Sequence, residues 1–241
     1  MKIGFYSCGR GGVGKTTAST IAALSYASLD KSVLLVDIWE YKNSSTYTLI
    51  GEASPPYVSN ILRGECRWYE VVREITVSWE GGSCSLWLAP SDGELSPDID
   101  YGEIIDMLRR APKYGVDVII IDFPSDPTGC FRGLLDFLDI CCLVTEPDAR
   151  SVDSIIEYSI KSGSVRSVPL LNKYHPRAKI YKDRLEEHFG LCFTVPFDPA
   201  LVDLNKETLP VALTAMRKET QLSFARLFHY LLHPVEVRIH V

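Results

Sequence analysis

Short apolar runs alternate along this chain with stretches whose apolar residues recur every three or four positions. The runs have strand length and lack strict polar alternation, as expected for strands that are covered on both faces. Six runs stand at residues 2–7 (KIGFYS), 32–37 (SVLLVD), 84–90 (CSLWLAP), 116–122 (VDVIIID), 139–145 (DICCLVT) and 165–171 (VRSVPLL). Helical patterns lie between them at residues 15–29, 101–111, 151–160 and 177–189. This order predicts an α/β fold with a doubly wound, mostly parallel sheet, helices on both faces, and ligands at the carboxyl ends of the strands.

The remaining segments follow other patterns. Residues 40–60 and 90–100 are predicted to be loops that border the ligand-binding edge. Residues 221–232 place apolar side chains on one helical face with little positive charge nearby, which favours packing in the core over membrane binding. Residues 235–241 (VEVRIHV) alternate between apolar and polar, and predict a strand at the sheet edge of this chain or paired with another chain.

Composition narrows the class of protein. The chain has 241 residues, of which 46% are hydrophobic, and we predict a single domain over residues 1–241. A formal net charge of -6 excludes a globally basic nucleic-acid binder but leaves room for a local basic patch. No apolar run approaches the ~20 residues of a membrane helix, and the seven cysteines lack C-x-x-C spacing. We therefore predict a cytoplasmic protein with reduced cysteines.

A phosphate-binding motif follows the first apolar run. Gly9, four residues, and then Gly14, Lys15 and Thr16 match G-x-x-x-x-G-K-[ST] between a predicted strand and a predicted helix. Glycines let backbone N–H groups turn toward phosphate oxygens, while lysine contacts the β and γ phosphates and threonine faces magnesium. The sequence therefore predicts ATP and Mg²⁺ as ligands.

A second acidic group is expected near the magnesium. In proteins with this motif, an Asp at the end of a neighbouring strand holds the metal through water. The run VDVIIID ends in Asp122, which we predict to have this role.

The chain resembles the ParA/MinD family of deviant Walker-A P-loop ATPases from residue 2 to about residue 213. The segments that carry the resemblance, in order, are GRGGVGKTT, SVLLVDIWE, VSNILRGE, VIIIDFPSD, LDICCLVTEPDARSVDSI, VPLLNK and VPFDPALVDLNKETLPVAL. The resemblance implies an ATP-dependent homodimeric switch that acts in DNA partitioning or intracellular positioning. It also implies residue roles. The triphosphate would be held by Gly9, Gly11, Gly12, Val13, Gly14, Lys15, Thr16 and Thr17, magnesium by Thr16, Asp37 and Asp122, and adenine by Asn172, Pro196 and Asp198.

Two residues depart from the family pattern. The family has a lysine that reaches the partner's phosphates across the dimer, where this chain has Arg10, which keeps the charge but has a different geometry. The family's water-positioning Asp is replaced by Trp39, which cannot polarise water. Glu40 either substitutes for that Asp or is a solvated surface acid. The residues implied in catalysis are therefore Lys15, Asp37, Arg10 and Glu40.

Two functions remain open from the sequence. The first is a dimerisation switch with slow or partner-stimulated ATP hydrolysis, and the second is a module without turnover that uses ATP as a structural ligand or dimer glue. A third function, metal-cluster assembly as in some relatives, lacks the paired cysteines.

One basic segment could bind DNA without reading its sequence. Residues 173–184 (KYHPRAKIYKDR) contain Lys173, Arg177, Lys179, Lys182 and Arg184, with only Asp183 opposing them. Such a segment can neutralise phosphates, but it can equally be a solvated helix face. The sequence thus predicts a homodimer with ATP, an activating partner protein, DNA as a further candidate, and no membrane partner.

Overall fold

The computed structural model describes residues 1–38, 44–92, 101–125, 131–162 and 166–234. Within these residues, eight strands form one sheet. The strands are β1 (Lys2–Tyr6), β2 (Val33–Asp37), β3 (Arg73–Trp79), β4 (Gly82–Ala89), β5 (Val118–Asp122), β6 (Ile140–Thr145), β7 (Arg166–Tyr174) and β8 (Phe193–Pro196). All six predicted strands are present. β3 and β8 were not predicted.

The strand order in the sheet is β3-β4-β2-β5-β1-β6-β7-β8. β3 runs antiparallel to β4, and every other neighbouring pair is parallel. The predicted doubly wound, mostly parallel α/β fold is confirmed, although strict alternation of strand and helix fails at the β3–β4 hairpin. The carboxyl ends of β1, β2, β5, β6 and β7 consequently meet at one edge of the sheet.

Helices cover both faces of this sheet. They are α1 (Lys15–Ala27), α2 (Ser45–Ile50), α3 (Val58–Leu62), α4 (Trp68–Val71), α5 (Gly102–Arg110), α6 (Arg132–Leu135), α7 (Ala149–Ser162), α8 (Lys179–Phe189), α9 (Leu209–Ala215) and α10 (Lys218–Leu232). One apolar layer packs α1, α9 and α10 against the sheet, and a second packs α3 to α8 against the opposite face. Alternate residues of the central strands enter the two layers, which is why these strands read as continuous apolar runs.

The structure corrects some predictions and bears out others. The segment 40–60 was predicted to be a loop, yet it contains the whole of α2 and the beginning of α3. α10 buries Phe224, Leu227, Phe228 and Leu231 in the core, as predicted. No helix in the described ranges is long and apolar enough to cross a membrane. Residues 93–100 of the second predicted loop, and the predicted strand 235–241, lie outside the described residues.

Candidate nucleotide-binding site

The loop between β1 and α1 has the backbone of a phosphate cradle. Gly9, Gly12 and Gly14 have φ angles of 86°, 74° and 92°, in the left-handed region that favours glycine. A Cβ at Gly14 would lie 2.2 Å from Nδ2 of Asn172, so this position requires glycine for space as well. No side chain caps the first turn of α1. Its N–H groups are therefore suited to an anion.

Lys15, the first residue of α1, is buried beneath this loop. Its Nζ donates to Oγ of Ser7 at 2.9 Å, to Oγ of Ser125 at 3.0 Å and to the carbonyl oxygen of Arg10 at 3.2 Å. Burial lowers the pKa of Lys15 to about 8, against the attraction of Asp122, which raises it. These three acceptors are neutral, so phosphate oxygens could replace them as partners of the desolvated ammonium.

Asp37 and Asp122 form a buried carboxylate pair at the ends of β2 and β5. They are register partners on neighbouring strands, and neither side chain is exposed. Oδ2 of Asp37 accepts the backbone N–H of Thr46 at 2.7 Å, and Oδ2 of Asp122 accepts the hydroxyl of Ser45 at 2.7 Å. The Oδ1 atom of each carboxylate is buried without a hydrogen-bond partner. Burial and the charge of Asp122 raise the pKa of Asp37 to about 7, and burial raises the pKa of Asp122.

These carboxylates fit a divalent cation. Two buried oxygens without donors lie at the ends of β2 and β5, and the Thr16 side chain favours the charged form of Asp122. Mg²⁺ is usually bound by one or two carboxylates together with substrate phosphates and water. The structure thus brings together the three residues that were predicted to hold magnesium: Thr16, Asp37 and Asp122.

The residues predicted to bind adenine, Asn172, Pro196 and Asp198, line one cavity next to the cradle. Nδ2 of Asn172 donates to the carbonyl oxygen of Val13 at 2.8 Å. A cavity of about 330 Å³ adjoins this contact, and its lining includes Asn172, Pro196, Phe197 and Asp198. Both Asp198 oxygens accept backbone N–H groups, from Ala200 at 3.1 Å and from Arg217 at 2.9 Å. Asp198 therefore also fixes the shape of the cavity wall.

A second cavity of about 460 Å³ lies beside the first and shares Gly12, Gly14 and Thr17 with it. Sequence reasoning missed several of its lining residues, which are Tyr47, Thr48, Leu201, Asp203, Leu204 and Asn205. It also missed the hydroxyls of Ser7, Ser45 and Ser125. The sequence could have indicated Ser7 and Ser125 only by their position, because both follow strands at the ligand-binding edge.

Arg10 takes part in the site through two different groups. Its carbonyl oxygen accepts from Lys15, Ser7 and Ser125, which ties the cradle to β1 and to the end of β5. Burial would raise the pKa of Asp148, but hydrogen bonds from Ser151 and the charge of Arg10 lower it. Trp39 and Glu40 lie outside the described residues.

Acidic side chains pair with most of the cations of the basic segment 173–184. Nζ of Lys173 donates to the carbonyl oxygen of Gly12 at 2.8 Å and pairs with Glu146 at 3.0 Å, so it belongs to the cradle. The other paired cations are Lys179 with Asp183, Lys182 with Glu186 and Arg184 with Asp153. Arg177 is exposed in the turn Pro176–Ala178. Asp183 is thus only one of several acids that face these cations.

The strand, cradle, buried lysine and carboxylate pair together define a P-loop nucleotide-binding protein. The sequence profile of a family described as an AAA domain matches residues 1–152, which is more than half of the chain, and the chain belongs to this family.

Solved structures share the fold over nearly the whole chain. The MinC:MinD cell division protein complex of Aquifex aeolicus superposes with a TM-score of 0.76 at 19% identity, covering 99% of this chain and 98% of that one. MinD of Pyrococcus horikoshii with Mg-ADP gives a TM-score of 0.74 at 16% identity and 100% and 99% coverage. A ParA family ATPase from Chlorobium tepidum gives 0.71 at 22% identity and 95% and 98% coverage. The predicted resemblance to the ParA/MinD family is confirmed.

Proposed function

We propose that this protein is an ATP-binding, Mg²⁺-dependent dimerisation switch of the ParA/MinD type that acts in DNA partitioning or intracellular positioning. The observation that carries this proposal is the buried pair Asp37 and Asp122, with two unpartnered oxygens, next to the buried ammonium of Lys15. Opposite charges on the two sides of one cradle match the needs of a metal–triphosphate complex. The protein would act in the cytoplasm as a single domain.

Each group has a definite task in this proposal. The loop glycines orient N–H groups, Lys15 binds the β and γ phosphates, and Asp37, Asp122 and Thr16 hold the metal with its waters. Asn172 and Pro196 border the space for the base. When bound, Mg²⁺–ATP supplies a phosphoanhydride bond and a cation that neutralises charge developing on the phosphates.

Hydrolysis would be slow without a partner. Lys15, and a cation held by the carboxylate pair, could stabilise negative charge on the phosphates. Trp39, however, stands where the family's water-positioning Asp is expected. Glu40 would supply the missing carboxylate if it orients water. A phosphate-release assay on the purified wild type and on the Glu40→Gln variant distinguishes a slow ATPase from the alternative, a binding module without turnover. A module without turnover would release no phosphate above background in either form.

Arg10 tests the dimer part of the proposal. Its charge would be needed where two nucleotide-bearing faces approach each other. We expect Arg10→Ala to keep most of the nucleotide affinity of the monomer but to lose nucleotide-dependent dimerisation. Arg10→Lys restores the residue usual in the family and should preserve dimerisation. Sedimentation velocity with Mg²⁺ and a non-hydrolysable ATP analogue measures both effects, and an Arg10→Ala variant that dimerises as well as the wild type would contradict the role.

A partner protein would stimulate the switch. The structurally similar MinD forms a complex with the protein MinC, which supports binding of a partner protein by this chain. DNA is a further candidate partner through Lys173, Arg177, Lys179, Lys182 and Arg184. Because acids neutralise most of these cations, we expect weak DNA binding that falls steeply between ~50 and ~200 mM salt.

Variants of α8 test the DNA surface in both directions. Neutral residues at Lys179, Lys182 and Arg184 should abolish binding to a DNA duplex, because the phosphates lose these cations. Asp183→Asn should strengthen binding, since it releases Lys179 from an ion pair of 2.6 Å. Fluorescence anisotropy over a salt series measures each affinity. Salt-insensitive binding, or binding that the triple change leaves intact, would rule this surface out.

A further inference from the structure

Two serines contact Lys15 in nearly the same way. Oγ of Ser7 and Oγ of Ser125 accept from its ammonium at 2.9 Å and 3.0 Å. Both hydroxyls also donate to the carbonyl oxygen of Arg10, at 2.5 Å and 3.1 Å. The two serines therefore make the same contacts, but their surroundings differ.

The two hydroxyls differ in burial and position. Ser7 is 1% exposed at the end of β1, beneath the loop. Ser125 is half-buried and follows the end of β5 by three residues. Its Oγ lies 3.6 Å from the place that a Cβ of Gly11 would take, so it borders the rim of the cradle. Ser125 is therefore the more accessible of the two hydroxyls and lies next to the loop at Gly11, whereas Ser7 is buried.

We propose that the Ser125 hydroxyl discriminates triphosphate from diphosphate by donating a hydrogen bond to the γ-phosphate. This inference rests on the proposed function, in which Lys15 binds the β and γ phosphates. The Ser125 hydroxyl lies 3.0 Å from the Lys15 ammonium. A phosphate oxygen bound to this ammonium would therefore lie close enough to accept a hydrogen bond from Ser125. When Lys15 exchanges its neutral acceptors for phosphate oxygens, Ser125 can turn its donor from the Arg10 carbonyl to the phosphate. ADP lacks that acceptor.

Ser7 provides the matched control, because it makes the same two contacts from a buried position. Calorimetry would measure the affinities of the wild type, Ser125→Ala and Ser7→Ala for Mg²⁺ with a non-hydrolysable ATP analogue and for Mg²⁺ with ADP. Ser125→Ala should weaken binding of the analogue about tenfold and change ADP binding by less than about twofold. Ser7→Ala should change both affinities by the same factor.

Two further variants keep the test decisive if alanine disturbs folding. Ser125→Thr retains the hydroxyl and should retain discrimination, while Ser125→Cys keeps the size with a weak donor and should lose it. Equal weakening of both nucleotides by Ser125→Ala, or no change in either, would overturn the role of Ser125 and leave the proposed function intact. A wild-type protein that binds neither nucleotide would instead contradict the proposed function.

Discussion

Lys15→Ala is expected to abolish nucleotide binding while leaving the protein folded. Lys15 is 3% exposed, and in the proposed function its ammonium is the charged group that binds the β and γ phosphates. Truncating one member of a buried charge pair typically costs about 2–5 kcal/mol, so affinity should fall at least about thirtyfold. Calorimetry with Mg²⁺ and a non-hydrolysable ATP analogue measures this loss.

Replacing Lys15 should weaken nucleotide binding without lowering the stability of the free protein. Burial disfavours the charge of Lys15 in the free protein, which its lowered pKa of about 8 reflects. Lys15→Met, which replaces the ammonium by an apolar end, should therefore leave the Tm unchanged or raise it, but the Tm increase on adding nucleotide should disappear. Lys113→Ala, at an exposed lysine far along the chain, is the control and should behave as the wild type. Wild-type affinity in Lys15→Ala would refute the site.

Asp122→Asn should raise the stability of the free protein and lose the magnesium dependence of nucleotide binding. Two buried carboxylates on neighbouring strands repel each other, and each has an oxygen without a donor. Removing one charge at pH 8, above the Asp37 pKa of about 7, should raise the free energy of unfolding by about 1–3 kcal/mol. The same change removes a proposed metal ligand, so Mg²⁺ should no longer strengthen nucleotide binding.

Asp117→Asn is the matched control for Asp122→Asn. Asp117 immediately precedes β5, at the end of the strand opposite to Asp122, and its carboxylate accepts the backbone N–H of Ser32. Urea unfolding in the presence of a chelator gives the stability difference, and titrations with and without Mg²⁺ give the metal dependence. A destabilised Asp122→Asn, or one that keeps the wild-type response to Mg²⁺, would contradict a metal-binding carboxylate pair.

The sequence predicted the parts of the fold whose signal is local. β5 is buried along its length and reads as a continuous apolar run. β3 was missed because it is an edge strand with mostly exposed or half-buried side chains, and β8 because it has four residues. α2 has a weak helical sequence, STYTLI, and its start is tied down from other elements, since Asp37 and Asp122 accept from Thr46 and Ser45.

Some residues of the candidate site could likewise be predicted from the sequence, and others could not. The glycines, Lys15 and Thr16 form a contiguous motif, so the sequence alone places the cradle. Ser125 lies 110 residues from Lys15 along the chain, and only the meeting of strand ends brings them together. The acids that pair with the basic segment could not be predicted for the same reason, because Glu146 and Asp153, which pair with Lys173 and Arg184, belong to the region of β6 and α7.

The central claim, that bound nucleotide drives dimerisation, is tested most directly by the mass of the wild-type protein in solution. Light scattering would compare the protein alone, with Mg²⁺ and ADP, and with Mg²⁺ and a saturating non-hydrolysable ATP analogue. The account predicts a monomer of about 27 kDa in the first two cases and twice that mass in the third. A monomer with saturating analogue, or a dimer of the same strength in all three conditions, would contradict the switch.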